Sequence, residues 1–295
     1  MTEVFPNYYG EFQCIADRCE HNCCIGWEID IDPDTLAFYD ALGGEIGQAV
    51  RDGIDRSDYP HFKQDENGRC ALLRANGLCD IICKIGEEAL CDICRDHPRF
   101  RNFLPERTET GLGLCCPEAA RIILGQEEKF TFPLSSDDRF GLFRQKIFDV
   151  LQDETFPLDK CIESVLEICG AKAANLEFSR LRKFLLPLER LAREWENKLA
   201  LLEADEHYND QFDRVFRRLL CYFVFRHMSP DDLSLGISFA VLSFEIIKRI
   251  FAGESIRDFA TLCDIARMYS SEIEYSDENL DALFSLCEDI YNLVC

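Results

Sequence analysis

From about residue 135 onward, apolar residues recur at three- and four-residue intervals, the period of a helix buried along one face. Phe140, Phe143, Ile147, Phe148 and Leu151 share such a face. Carried along the chain, the pattern predicts helices at about 138–152, 158–170, 176–202, 208–227, 232–252, 256–270 and 277–293. Upstream the periods are shorter and broken by turns. Gly26-Trp27-Glu28-Ile29-Asp30-Ile31-Asp32 alternates apolar and acidic residues, which predicts a short, half-buried strand. Asp32-Pro33-Asp34 reads as a helix start with Thr35–Tyr39 as its first turns, Gly43-Gly44 ends it, and residues 45–65 are polar and weakly patterned. Asn67-Gly68 and Asn76-Gly77 are tight-turn signals, and a cysteine stands just beyond each, at Cys70 and Cys79. Each reads as a knuckle that presents a thiolate. Residues 81–90 can form a short helix carrying Cys83. Pro117 suits the first turn of a helix running into Ile122-Ile123-Leu124, with Cys116 at its positive end. The aromatics Phe5, Tyr8, Tyr9 and Phe12 are expected to anchor the N-terminal arm. The change of character near Pro133 sets the expected division. An irregular, cysteine-rich N-terminal domain (residues 1–134) precedes a helical domain (residues 135–295), giving a mainly α protein.

The cysteines change the picture most. Cys14, Cys19, Cys23 and Cys24 fall in the spacing C-x4-C-x3-C-C, and Cys70, Cys79, Cys83, Cys91, Cys94, Cys115 and Cys116 follow. Hydrophobic residues are 47% of the 295 and aromatics 12%, enough for a core that needs no disulfide staples. The start has neither a basic nor an apolar segment of secretory type, and the total of 17 cysteines is odd. A reducing, cytoplasmic setting is therefore expected, where clustered thiols read as metal ligands or redox groups. The longest uncharged run, between Asp232 and Glu245, is too short to span a bilayer. The scattered later cysteines, Cys161, Cys169, Cys221, Cys263, Cys287 and Cys295, read as small buried hydrophobes.

Thiolates select zinc, copper(I) or iron–sulfur clusters. Zinc knuckles use paired C-x2-C motifs, and only Cys91/Cys94 has that form here. The adjacent Cys23-Cys24 pair suits one tetrahedral ion poorly and would serve two centres or leave one thiol beside the metal. Iron–sulfur ligation tolerates irregular spacing and is favoured over zinc. Thiol–disulfide exchange at Cys91/Cys94 is the redox alternative. His21 and His97 stand beside thiols. Arg95, Arg99, Arg101 and Arg107 form a basic stretch suited to local salt bridges, or to balancing thiolates or a carboxylate-bearing ligand. No glycine-rich nucleotide loop is present. The formal charge of −23 disfavours nucleic acid and anionic membranes as partners. Solubility accounts for such a surface, as would encounter with a lysine-bearing protein.

Phe12-Gln13-Cys14-Ile15, Cys19-Glu20, Cys23-Cys24 and Gly26-Trp27 through Ile29-Asp30-Ile31-Asp32 together resemble the opening of the flagellin lysine-N-methylase family. The likeness continues through Gly68-Arg69-Cys70, Leu72-Leu73, Gly77-Leu78-Cys79-Asp80-Ile81, Gly86-Glu87-Glu88, Cys94-Arg95, Pro98-Arg99 and Cys116-Pro117-Glu118-Ala119-Ala120-Arg121. It covers roughly residues 8–125. The resemblance implies N-methylation of lysines on flagellin, with S-adenosylmethionine as donor and an iron–sulfur cluster, of 4Fe-4S type, on the cysteines. Its matched thiols are Cys14, Cys19, Cys23, Cys24, Cys70, Cys79, Cys94 and Cys116, with Cys83, Cys91 and Cys115 as extra thiols. Position in the matched motifs nominates Asp30, Arg95, Arg99, Glu118 and Arg121 as catalytic or cofactor-binding residues. A non-catalytic zinc- or iron-binding protein is the competing reading.

Overall fold

The computed structural model describes residues 2–172, 174–204 and 210–291. Its elements run β1 (Thr2–Val4), α1 (Pro33–Ala41), α2 (Gly44–Asp52), β2 (Ile54–Asp55), β3 (His61–Phe62), α3 (Asp80–Ile85), α4 (Asp92–Asp96), β4 (Arg99–Phe103) and β5 (Arg107–Leu112). Helices α5 (Pro117–Gly125), α6 (Arg139–Leu151), α7 (Leu158–Ile168), α8 (Phe178–Leu185), α9 (Glu194–Ala200), α10 (Asp213–His227), α11 (Leu233–Gly253), α12 (Phe259–Tyr269) and α13 (Asp277–Tyr291) complete it. The protein is mainly α. Its compact units are residues 13–99 and, together, residues 1–12 with 100–295. The cysteine-rich unit is thus inserted in sequence between β1 and the rest of the helical unit. Residues 100–134, grouped by the sequence with the cysteine-rich part, fall in the helical unit. The reason is burial: Leu112, Leu114 and the inner face of α5 (Ala119, Ala120, Ile122, Ile123, Leu124) belong to one apolar core with α6, α10 and α11.

In the helical unit, β1 pairs in parallel with β5, Thr2 opposite Arg107 and Val4 opposite Glu109, and β4 lies on the far side of β5. Asn7 continues the anchoring, its N–H donating to Thr131 O at 2.9 Å and its amide to Lys129 O at 3.1 Å. Helix α11 is buried on most of its faces and packs against α7, α10, α12 and α13. That explains why its sequence reads as a long apolar run. Gly236 is required where α11 passes the end of α10, since a Cβ there would stand 2.7 Å from Met228 Cα. No helix among the described residues is long and apolar enough to cross a membrane.

The helical period located α6, α7, α11 and α13 closely. The region 176–202 holds two helices, α8 and α9, split where Leu191 and Ala192 donate their N–H groups to Glu272 at 2.9 and 2.8 Å. Helix α12 does not stop at residue 270 but widens into a π-helical turn, Ser270–Glu274. Residues 208–209 of the 208–227 expectation, residues 292–293 of the last helix, and Cys295 lie outside the described residues.

The unit of residues 13–99 has its own small core, built on Ile29, Ile31, Tyr39, Val50, Ile54, Phe62, Leu72 and Ile81. The alternating segment 26–32 does bury Ile29 and Ile31, but it forms isolated bridges (Ile25 to Arg69, Asp30 to His61) in place of a continuous strand. Helix α1 starts as its sequence indicates: Asp32 is the N-cap, accepting the Thr35 N–H at 2.9 Å, with Pro33 in the first turn. Gly43-Gly44 does not lead into an unpatterned stretch. Gly43 caps α2, and the β2–β3 hairpin pair follows. Arg51 of α2 donates to Tyr39 O and Leu42 O, closing the end of α1, a tertiary bond that local pattern does not reveal.

Candidate metal centre

Both Asn-Gly turns form, and each places its cysteine by backbone hydrogen bonds. In the first, Gly68 N–H donates to Asp65 O at 2.9 Å, and Asp65 Oδ1 accepts from Asn67 N and Arg69 N. In the second, Gly77 N–H donates to Arg74 O at 3.0 Å and Arg74 N–H to Leu78 O at 2.9 Å. Gly68 (φ +71°) and Gly77 (φ +80°) occupy the left-handed region that favours glycine. The opening loop is stapled to these turns. Cys70 N–H donates to Cys24 O at 2.9 Å, and the Asn22 amide reaches Gly77 O at 3.0 Å while its Oδ1 accepts the Cys24 N–H at 2.9 Å. Cys24, Cys70 and Cys79, separated by up to 55 residues, are thereby drawn together by a main-chain bond and the Asn22 side chain.

The C-x2-C pair joins them from α4. Cys91 is the N-cap of that helix, and Arg95 N–H returns to Cys91 O at 2.9 Å. Helix α1 holds this segment from two sides. Asp32 Oδ2 accepts the Asp92 N–H at 2.9 Å, and the Tyr39 hydroxyl donates to Ala89 O at 2.7 Å. Cys70 and Cys91 are buried in the small core, and Cys24, Cys79 and Cys94 pack against it. Cys91, which the family likeness left out of its matched set, thus stands among the clustered thiols. Cys14 and Cys83 are exposed and Cys19 half-buried, its thiol donating to His21 O at 3.3 Å. Cys115 and Cys116 belong to the helical unit. There Cys115 is buried, which pushes its thiol up to about 12, and Cys116 caps α5 as expected.

The electrostatics of the clustered thiols are those of paired sulfurs in a poor solvent. The thiol of Cys24 donates to Cys23, which holds Cys23 down and Cys24 up, and Cys94 does the same for Cys91. Burial pushes Cys70 and Cys79 up, and the thiols also oppose one another's ionisation. Such a set ionises together only if a cation arrives, which is how soft metals displace thiol protons. All described cysteines are free of disulfides. By donor chemistry the six sulfurs of Cys23, Cys24, Cys70, Cys79, Cys91 and Cys94 fit a thiophilic metal or cluster. Among the described residues, however, no three His, Cys, Asp or Glu groups close on one metal-holding point.

The remaining candidates have other partners. Glu118 and Arg121 pair with each other on α5, at 2.7 and 2.8 Å. Arg95 pairs with Asp92 and donates to Leu90 O at 3.2 Å, and Arg99 donates to Arg95 O at 3.4 Å. Asp30 sits on the bridge to His61. Burial pushes half-buried His97 down to about 4, so it is neutral at pH 7. Arg107 is buried in the helical unit with Glu109 and Asp138.

Sequence reading missed a second constellation, in the helical unit. Glu274 ends the π-helical turn and is fully buried. His227 Nε2 lies 2.6 Å from its Oε1, the Tyr222 hydroxyl donates to its Oε2 at 3.0 Å, and Arg226 Nε stands 3.3 Å away. Burial alone would raise this carboxyl, but the Arg226 charge and the His227 hydrogen bond hold it at about 2. The Tyr222 oxygen also accepts from Leu114 N at 3.2 Å and Arg226 Nη1 at 2.8 Å. The only local signal was Arg226-His227 at the end of a helix, and nothing in it pointed to a partner 47 residues on.

Residues 135–294, most of the helical unit, match the model of the FliB lysine N-methylase C-terminal domain. The chain belongs to the FliB lysine N-methylase family. The buried Glu274–Arg226–His227 constellation therefore lies within the FliB-matched region, and the thiol cluster lies outside it. Among curated proteins, the chain is 27% identical over 135 residues to the flagellar biosynthetic protein FliU of Salmonella muenchen, covering 43% of this chain and 80% of that protein. It is equally similar to the lysine-N-methylases of Salmonella typhimurium and Salmonella choleraesuis, where the matched stretch covers 34% of their length. No solved structure matches this FliB-family chain.

Proposed function

We propose that the protein is a protein-lysine N-methyltransferase acting in the cytoplasm on flagellin, with S-adenosylmethionine as methyl donor and an iron–sulfur cluster held by thiols of residues 13–99. The observation that carries the reading is the family membership of the helical region, 135–294. The clustered soft donors support the cluster. In the transfer, the new bond forms between the lysine nitrogen and the methyl carbon as the donor's sulfur–carbon bond breaks, and the ammonium product then loses a proton. The protein must present a neutral amine in line with the methyl group, which positioning and desolvation supply. An acidic surface (−23) favours encounter with a lysine-bearing partner. Cys23, Cys24, Cys70, Cys79, Cys91 and Cys94 are the residues that would hold a cluster. Its contribution would be structural anchoring or binding of the donor. Glu274, ionised and locked to the Arg226 guanidinium and the His227 ring, serves as a brace and not as the base.

Methyl transfer from labelled S-adenosylmethionine to flagellin from the same source tests the reading directly. Transfer by anaerobically purified brown protein containing iron and acid-labile sulfide is the expected result. No transfer by cluster-replete protein overturns the activity. Colourless protein with stoichiometric zinc replaces the cluster by a zinc site. Metal-free protein in which Cys91 and Cys94 cycle with a dithiol reductant points to thiol–disulfide exchange.

A further inference from the structure

The helical unit contains a cavity of about 370 Å³ that the methylation reading does not use. In a chain with 55 acidic and 32 basic residues, its walls reverse the balance, with Lys129, Arg214, Arg217 and Arg218 set against Glu127, Asp153 and Glu154. The three arginines stand three and four residues apart on α10, so one helix face supplies them. Two are already committed. Arg214 pairs with Glu154 at 3.0 Å, and Arg217 pairs with Asp213 at 2.6 Å and donates to the carbonyls of Leu151, Asp153 and Phe156.

Arg218 differs. It is 4% exposed, yet its partners are all neutral: the Gln152 amide oxygen, and the carbonyls of Gln126 and Glu127 at a long 3.4 Å each. Among the described residues, no carboxylate lies within ion-pair distance of it. Burial pushes its guanidinium down, and the charge of Glu154, which is bonded to Arg214, does not offset this. Buried charges are ordinarily paired. Gln152, itself buried, is pinned by accepting the Phe130 N–H at 2.6 Å and donating to Phe130 O at 3.2 Å, so it orients the guanidinium and cannot neutralise it. Exposed Lys129 adds a second cation on the same wall; its charge bears on Asp153, but no carboxylate among the described residues lies within ion-pair distance of it.

We propose that this cavity binds a small molecule through a compact anionic group, a carboxylate or a phosphate, seated on Arg218 with Lys129 beside it. The planar fork of arginine matches both anions by two parallel hydrogen bonds. The cavity volume admits a metabolite-sized ligand. The proposal goes beyond the methylation reading and depends on neither the metal nor the methyl donor.

The test uses the full chain, with inorganic phosphate and acetate as probes and sodium chloride at matched ionic strength as the control. Saturable binding by titration calorimetry, with a matching rise in Tm, is the expected result for one probe or both. Phosphate alone would identify a phosphate-bearing ligand, and acetate alone a carboxylate. Arg218→Lys keeps the charge and loses the fork, and is expected to weaken binding about tenfold. Lys129→Ala, at an exposed position that folding does not need, is expected to weaken it by a smaller factor and decides the question should Arg218→Lys fail to fold by circular dichroism. No binding above the chloride control, or unchanged binding in the folded variants, overturns the proposal.

Discussion

The two units use the same residue for opposite ends. In the helical unit, Cys161, Cys169, Cys221, Cys263 and Cys287 are buried singly along helices, and burial pushes the thiols of Cys169, Cys221 and Cys263 up to about 12. Apart from Cys161, whose sulfur accepts from Arg217 at 3.5 Å and donates to Asp153 O at 3.8 Å, they are small apolar fillers. In residues 13–99 the thiols meet in pairs, Cys23 with Cys24 and Cys91 with Cys94, where one sulfur is held as the better anion. The difference follows from what else is available to bury. The helical unit has a core dense in phenylalanine, with Phe130 and Phe132 each packed against Phe148 and Phe225. The small unit has short helices, two-residue strands and a dozen buried apolar residues, and relies on hydrogen-bonded turns. A unit of that kind gains most from a metal.

The sharpest way to break this contrast is to strip metal from anaerobically purified protein or to replace Cys70 and Cys91 together by serine. Residues 13–99 are then expected to become sensitive to limited proteolysis while the helical unit keeps its circular dichroism. Loss of both together would show that the two units are not independently stabilised. Next in size is Glu274→Gln, which leaves Arg226 buried without its counter-charge. It should destabilise the helical unit by about 3–5 kcal/mol in denaturant titration, with no effect on metal content.

Acid should separate the units as well. His97 and Glu274 both have folded values below their unfolded ones, about 4 against 6.5 and about 2 against 4.5. In each case the unfolded chain binds more protons, so the contribution is present at high pH and is lost on acidification. The loss from His97 runs between pH 6.5 and about 4 and that from Glu274 between pH 4.5 and about 2, while His227, also held down by burial, adds a loss below pH 6.5 in the helical unit. Proteolysis of residues 13–99 and helicity should both respond as pH falls below 6.5, and the step between pH 4.5 and about 2 should appear in helicity.

A smaller effect is expected of Asp32→Ala. It removes the cap of α1 and the tie to Asp92 at the start of α4, and should cost about 1–2 kcal/mol, with Asp32→Asn recovering part of it. Least of all, Glu118→Gln breaks an ion pair whose Arg121 side chain is 60% exposed, and should change stability by less than about 0.5 kcal/mol. A large loss of methyl transfer in that variant, at unchanged stability, would instead give Glu118 a role in the chemistry.

Much of this was legible locally. The 3.6-residue period found the helices of the C-terminal part because each needs only its own face to be apolar. Asn67-Gly68 and Asn76-Gly77 announced their turns because a positive φ is a demand on single residues. Asp32-Pro33 announced its helix because the cap bond spans three residues. The density of thiols, and the motifs that resemble the methylase family, needed no structure at all. What local pattern could not supply were bonds between distant segments. The placing of Cys91 beside Cys70 and Cys94 depends on Asp32 and Tyr39 reaching 50 to 60 residues along the chain. The membership of Cys115 and Cys116 in the helical unit depends on Leu112 and Leu114 joining the helical core. The partner of Arg226 and the neutral hydrogen-bond partners of Arg218 were likewise decided by which helices pack together. Sequence by itself set the elements and the chemical inventory, because these follow from neighbours in the chain. Tertiary structure alone chose which thiols and charges meet, because burial and pairing are properties of residues brought together from far apart.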